Sequence, residues 1–123
     1  MNILFVCTGN TCRSPMAEAL FKELMLKEGL KGVLASSAGI AALTGQKASQ
    51  QAIRVMRDQG INLDNHRARQ INGDLIKQTD LILTMTEQHK SAIRAGAPTM
   101  QDKIHTLFEF AEMKERDILD PYG

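Results

Sequence analysis

A chain of 123 residues, 43% hydrophobic and 24% charged, has the length and composition of one globular domain. A formal net charge of +1 gives no general attraction to nucleic acid or acidic membranes, so any selectivity for anions has to be local. Two cysteines in one short stretch, with no further Cys or His pair at zinc spacing, exclude a secreted-type disulfide framework and predict no metal; without a run of roughly 18 apolar residues or a basic N-terminal flank, the expected setting is cytoplasmic.

The run Ile3-Leu4-Phe5-Val6 is β-branched and aromatic, which predicts a short buried strand. It leads into Cys7-Thr8-Gly9-Asn10-Thr11-Cys12-Arg13-Ser14, and Pro15 suits a first helical position because its missing N–H would have no partner there. Ala17, Leu20, Phe21 and Leu24 then recur at helical spacing and predict a helix to about residue 28, with Glu18/Lys22 and Glu23/Lys27 paired on other faces. Val33 to Ser37 reads as a second strand ending at Ala38-Gly39, and residues 40–47 as a loop. A helix is predicted from Ala48 to Gln59, with Ala52, Val55 and Met56 on one face and Gly60 as its stop. After the polar stretch Asn62 to Arg69 come a short helix near 73–79, a buried strand Asp80 to Met85, a helix Thr86 to Ala95 and a fourth strand Lys103 to Leu107.

Strands separated by helices imply right-handed crossovers. The expected fold is therefore α/β, a single domain over 1–123 with a doubly wound parallel four-stranded sheet and helices on both faces. Ligands of such sheets lie at the carboxyl ends of strands where the winding reverses, so the loop after the first strand is the candidate site. The loops 38–47, 86–90 and 116–123 are expected to gather around it.

Backbone N–H groups in a strand-to-helix loop have no ladder partners and converge on what sits at the helix mouth, which favours an oxyanion. Gly9 and Asn10 are the residues that let such a loop curl. Arg13 adds a planar fork of donors that matches two phosphate oxygens. A cysteine beside a helix N-terminus and a guanidinium is favoured as thiolate, the nucleophilic form, and Ser14 can donate its hydroxyl to that sulfur. Thr8, Gly9, Asn10, Thr11, Cys12, Arg13 and Ser14 are thus candidate phosphate-binding residues around Cys7.

Cys-x5-Arg-Ser after a strand, followed by Pro-Met-Ala-Glu and by the late Asp120-Pro121-Tyr122-Gly123, resembles the low-molecular-weight protein tyrosine phosphatase family from residue 1 to residue 123. The resemblance implies a strand order 2-1-3-4, a nucleophile at Cys7, a transition-state clamp at Arg13 and a general acid at Asp120, with no cofactor. It also implies that hydrogen bonds from Asn10, Ser37 and His66 hold the phosphate loop in shape. Cys12 either fills space or pairs reversibly with Cys7 under oxidation. His89, His105 and the Arg67/Arg69 pair are read as structural or solvated.

The string Cys-Thr-Gly-Asn-Thr-Cys-Arg-Ser-Pro looks like the bacterial protein arginine phosphatase branch. Thr11 stands where phosphotyrosine members carry a bulky Ile or Leu, and Tyr122 is the single aromatic residue expected to wall the cleft. Expected partners are phosphorylated proteins and inorganic phosphate or similar oxyanions, with phosphoarginine favoured over phosphotyrosine; no oligomeric state is implied. An arsenate-reductase-like or oxyanion-binding role is the competing class. Relatives of the family continue past the Asp-Pro motif into a final helix that this sequence lacks, and the expectation is exposed apolar area and lower activity and stability than in an extended chain.

Overall fold

The computed structural model describes residues 1–111. Its sheet has four parallel strands, β1 (Asn2–Cys7), β2 (Leu34–Gly39), β3 (Leu81–Thr84) and β4 (Ile104–Thr106), in the order β2-β1-β3-β4. Between and after them run α1 (Arg13–Glu28), α2 (Gln50–Asp58), α3 (Gly73–Gln78), α4 (Glu87–Gly96) and a single turn, α5 (Leu107–Phe110). This is the doubly wound α/β arrangement that the alternating pattern predicts. A 3-10 stretch over Pro98–Lys103 and α5 are too short to show a helical period, so the predicted fourth strand overlaps both by one residue.

Strand residues alternate between two cores because successive side chains point to opposite faces. Leu4, Val6, Ile82 and Ile104 meet Ile76 of α3 and Ile93 of α4 on one face. Ile3, Phe5, Leu81 and Leu83 meet Ala17 and Phe21 of α1 and Leu107 on the other. Covering both faces explains why β1 is an uninterrupted apolar run. Each of the buried strand side chains contributes about 1.5–3 kcal/mol relative to exposure. The rings of Phe5 and Phe21 stand 5.6 Å apart in a tilted arrangement that adds directional contact to the burial. A third cluster, Ala48, Ala52, Met56 and Leu63 around Cys12, fastens α2 to the start of α1.

Three local expectations change. Helix α1 begins at Arg13, two residues before Pro15, so the proline occupies the third helical position. No hydrogen bond is lost there, since the first four N–H groups of a helix have no intrahelical acceptor. The predicted apolar stripe of α1 is only half buried: Ala17 and Phe21 pack against the sheet and Met25 is buried, whereas Leu20 is 47% and Leu24 53% exposed. A stripe at i, i+4 and i+8 suffices to seat the helix, and Leu20 and Leu24 instead line a groove of about 540 Å³ with Phe5, Met16, Val55 and Leu107. The predicted α2 face likewise keeps Ala52 and Met56 buried and leaves Val55 at 42% exposure. Among the described residues no helix is long and apolar enough to cross a membrane.

Side-chain caps account for the helix starts. Ser49, Asn72, Thr86 and Thr106 each accept from a backbone N–H in the first turn of the helix they precede. At α5 the cap is reciprocal, since Glu109 accepts from the Thr106 N–H while also receiving Lys90 from α4. The Lys90 hydrogen bond, then the Thr106 N–H, hold the Glu109 carboxyl below its ordinary range. Its contribution to stability is therefore complete above the unfolded carboxylate pKa and is lost as pH falls through the lowered folded value. Glu109→Gln should accordingly be less stable than wild type at neutral pH, and chemical denaturation should show the difference shrinking as the solution is made more acidic than the usual carboxylate range.

Candidate active site

β1 stops at Cys7 and α1 starts at Arg13, so the intervening residues must reverse the chain within one short ring. Asn10 makes the reversal. It has φ 56°, the one left-handed non-glycine residue among the described residues, whereas Gly9, expected to share that role, does not adopt positive φ. Asn10 is fully buried, and both of its side-chain polar atoms and its carbonyl oxygen are engaged. Its Oδ1 accepts from the Arg69 N–H at 2.9 Å, its Nδ2 donates to Ser14 Oγ at 2.9 Å, and its carbonyl accepts from His66 Nε2 at 2.7 Å. The last bond requires the proton of His66 on Nε2.

The ring's carbonyls are turned outward. Those of Cys7 and Thr8 accept from Ile40 and Ala41 N–H at 3.0 and 2.9 Å, that of Thr11 from Ser49 N–H at 2.7 Å, and that of Cys12 from Met16 N–H at 3.2 Å. Among the described residues none accepts from the N–H groups of Thr8, Gly9, Asn10 or Thr11. Donors collected at a helix N-terminus with carbonyls fixed elsewhere form an anion site.

Cys7 is 3% exposed, and its Sγ lies 2.9 Å from Ser14 Oγ, a pair in which either atom could donate. Because Ser14 Oγ already receives Asn10 Nδ2, its own proton is available to the sulfur, with the Ala38 carbonyl at 3.5 Å as the weaker alternative. Arg13 opens α1 and is half-buried, and Thr11 is half-buried at the ring's far side. Cys12 is 8% exposed and packs in the α2 cluster, and neither cysteine is in a disulfide. The space-filling reading of Cys12 thus has a packing basis. Asp120 and Tyr122 lie outside the described residues. Among the described residues no three His, Cys, Asp or Glu side chains come together as a metal site.

The support differs from expectation at three places. Ser37 does not touch the ring: its hydroxyl donates to Glu18 Oε1 at 2.6 Å, and its carbonyl accepts from Arg69 Nε at 2.9 Å. Arg69, read from sequence as solvated, is the link, since its N–H also holds Asn10. His89 is buried at 4% exposure with Nε2 2.9 Å from Thr8 Oγ1, so it too reaches the ring. Gly39 was legible only as a strand end. A Cβ there would lie 2.4 Å from the Thr8 carbonyl oxygen and 2.9 Å from Asn10 N, because the end of β2 runs directly against the ring.

A family model described as "Low molecular weight phosphotyrosine protein phosphatase" matches residues 2–123. The protein-arginine-phosphatase of Bacillus subtilis strain 168 is 45% identical over 123 residues, all of this chain and 81% of that protein. A protein of Ralstonia nicotianae named "Probable low molecular weight protein-tyrosine-phosphatase EpsP" is 45% identical over 120 residues, 98% of this chain and 77% of its own. A solved structure of the YwlE arginine phosphatase, a C7S mutant with phosphorylated active site serine, is similar with a TM-score of 0.95 and 43% identity, covering all of this chain and 80% of that one.

Gly39→Ala tests the crowding at the ring. Moving Thr8 and Asn10 by even a fraction of an ångström should weaken vanadate or phosphate affinity roughly tenfold or more, as titration calorimetry would read it, while circular dichroism stays that of the folded chain.

Proposed function

The chain belongs to the low molecular weight phosphotyrosine protein phosphatase family and is a cysteine-dependent phosphatase, and we propose that Cys7, Arg13 and Asp120 carry its chemistry on phosphorylated protein side chains, phosphoarginine first among them. The observation that supports this most directly is the Cys7 sulfur 2.9 Å from the Ser14 hydroxyl at the foot of a ring locked by Asn10.

The proposed sequence has two displacements. Cys7 attacks phosphorus in line, forming an S–P bond as the P–N or P–O bond to the leaving group breaks. The ring N–H groups and the Arg13 guanidinium hold the equatorial oxygens, where charge develops, without needing to reorganise. Asp120 protonates the departing atom, because an unprotonated leaving group would raise the barrier. Water then attacks the thiophosphate with Asp120 accepting its proton, and the Ser14 hydroxyl stabilises the departing sulfur. The phosphorylated serine in the active site of the YwlE mutant is a counterpart, in a relative, of this phospho-enzyme intermediate.

Phosphoarginine is favoured by the shape and polarity around Thr11. Its carbonyl is fixed by Ser49 N–H, it is half-buried, and the neighbouring stretch Ile40-Ala41-Ala42-Leu43 offers no ring against which a phenyl group could stack. A planar guanidinium, with N–H donors of its own, suits a small hydroxyl and the carboxylate assigned to Asp120. Relatives named arginine phosphatases support the same choice. Phosphotyrosine is the second reading, supported by the equal identity of the Ralstonia relative. An arsenate reductase relay would need cysteines beyond Cys7 and Cys12, and the sequence has no others.

Two measurements bear on this. Cys7→Ser should lose turnover of p-nitrophenyl phosphate to background while still binding phosphate, and an active Cys7→Ser enzyme would contradict the scheme. Thr11→Ile should shift the ratio of kcat/KM for phosphoarginine over phosphotyrosine peptides toward phosphotyrosine, and an unchanged ratio would remove Thr11 as the selector.

A further inference from the structure

We propose that His89 is a positioning residue for the phosphate ring, acting through the hydroxyl of Thr8. The inference rests on reading that ring as the phosphate site. His89 is the third residue of α4, its backbone N–H bonded to the capping Thr86 hydroxyl at 3.1 Å and its ring almost wholly buried. Its Nε2 meets Thr8 Oγ1 at 2.9 Å, across 81 residues of sequence. Thr8 itself is exposed, so a surface hydroxyl is held from behind by a fixed imidazole.

Thr8 is gripped at two points. Ala41 N–H holds its carbonyl from the loop after β2, and His89 holds its side chain from the helix after β3. A β-branched side chain has few χ1 wells, so pinning Oγ1 also limits rotation of the backbone that carries it. Thr8 follows the nucleophile directly, and its N–H is the ring donor next in sequence to Cys7. The Asn10 network fixes the middle of the ring; the His89 contact fixes its first residue. Removing that contact leaves the near side tied only through the Ile40 and Ala41 N–H groups, and the donors it orients matter most where charge develops in the transition state.

A double-mutant cycle decides the matter, using wild type, Thr8→Val, His89→Phe and the double variant, with kcat, KM and vanadate affinity measured on each. Thr8→Val keeps the side-chain shape at an exposed position and should fold. The expected result is a loss of roughly five- to tenfold in kcat and in vanadate affinity for either single variant, KM moving less, with the double variant no worse than the worse single. Thr8→Ser should retain more of kcat than Thr8→Val. Wild-type kcat and vanadate affinity in Thr8→Val, or losses that multiply in the double variant, would overturn the proposal. A His89 that merely supports the fold would lower the melting temperature without the coupled loss. If wild type released no phosphate, the hydrolase reading would fail, and the four vanadate affinities would still decide whether His89 positions the ring.

Discussion

A ring of backbone donors can converge on one anion only if the chain reverses within a few residues, and in this protein that reversal depends on one buried asparagine in the left-handed region. Glycine would take the same φ at less steric cost. It would contribute nothing to hold it. Asn10 supplies an acceptor to Arg69, a donor to Ser14 and a carbonyl to His66, so the conformation is over-determined by its surroundings. The same side chain that shapes the ring also occupies one side of Ser14 Oγ, which leaves the serine proton for Cys7. Shape and electrostatics at the sulfur are therefore not separable.

The sheet supplies the second requirement, close approach. β1 and β2 pair in register to Cys7 and Gly39, so the ring after β1 is pressed against the end of β2. A side chain at Gly39 would meet the Thr8 carbonyl and the Asn10 nitrogen, and its absence lets the N–H groups of Ile40 and Ala41 reach the ring. The strand order puts β2 on one side of β1 and β3 on the other, so support arrives from both directions. Ile40 and Ala41 come from the loop after β2, His89 from the helix after β3.

The fold was legible because its signals are local and repeated: apolar runs at β1 and β3 and helical spacing between strands. The octet was legible because Cys7, Arg13 and Ser14 sit within eight consecutive residues. Arg69 and His89 were not. An arginine in a polar stretch and a histidine at a helix start carry no local mark of the ring they touch, since contact comes from strand order and crossovers that periodicity does not specify. Ser37 shows the converse, a residue expected to hold the ring by hydrogen bonds whose hydroxyl turns to Glu18. Leu20 and Leu24 mark the limit of the helical period itself, which identifies an apolar sector without telling how wide a strip the sheet will cover.

The tethers of Asn10 and Thr8 lie 56, 59 and 81 residues away in sequence. Cys7 is made well before His89, so its cradle cannot close until residue 89 has followed and two crossovers have docked. Such non-local closure is slow compared with helix formation. The proposed nucleophile consequently matures late, and a nascent or partly unfolded chain carries Cys7 in a flexible stretch in place of a closed ring.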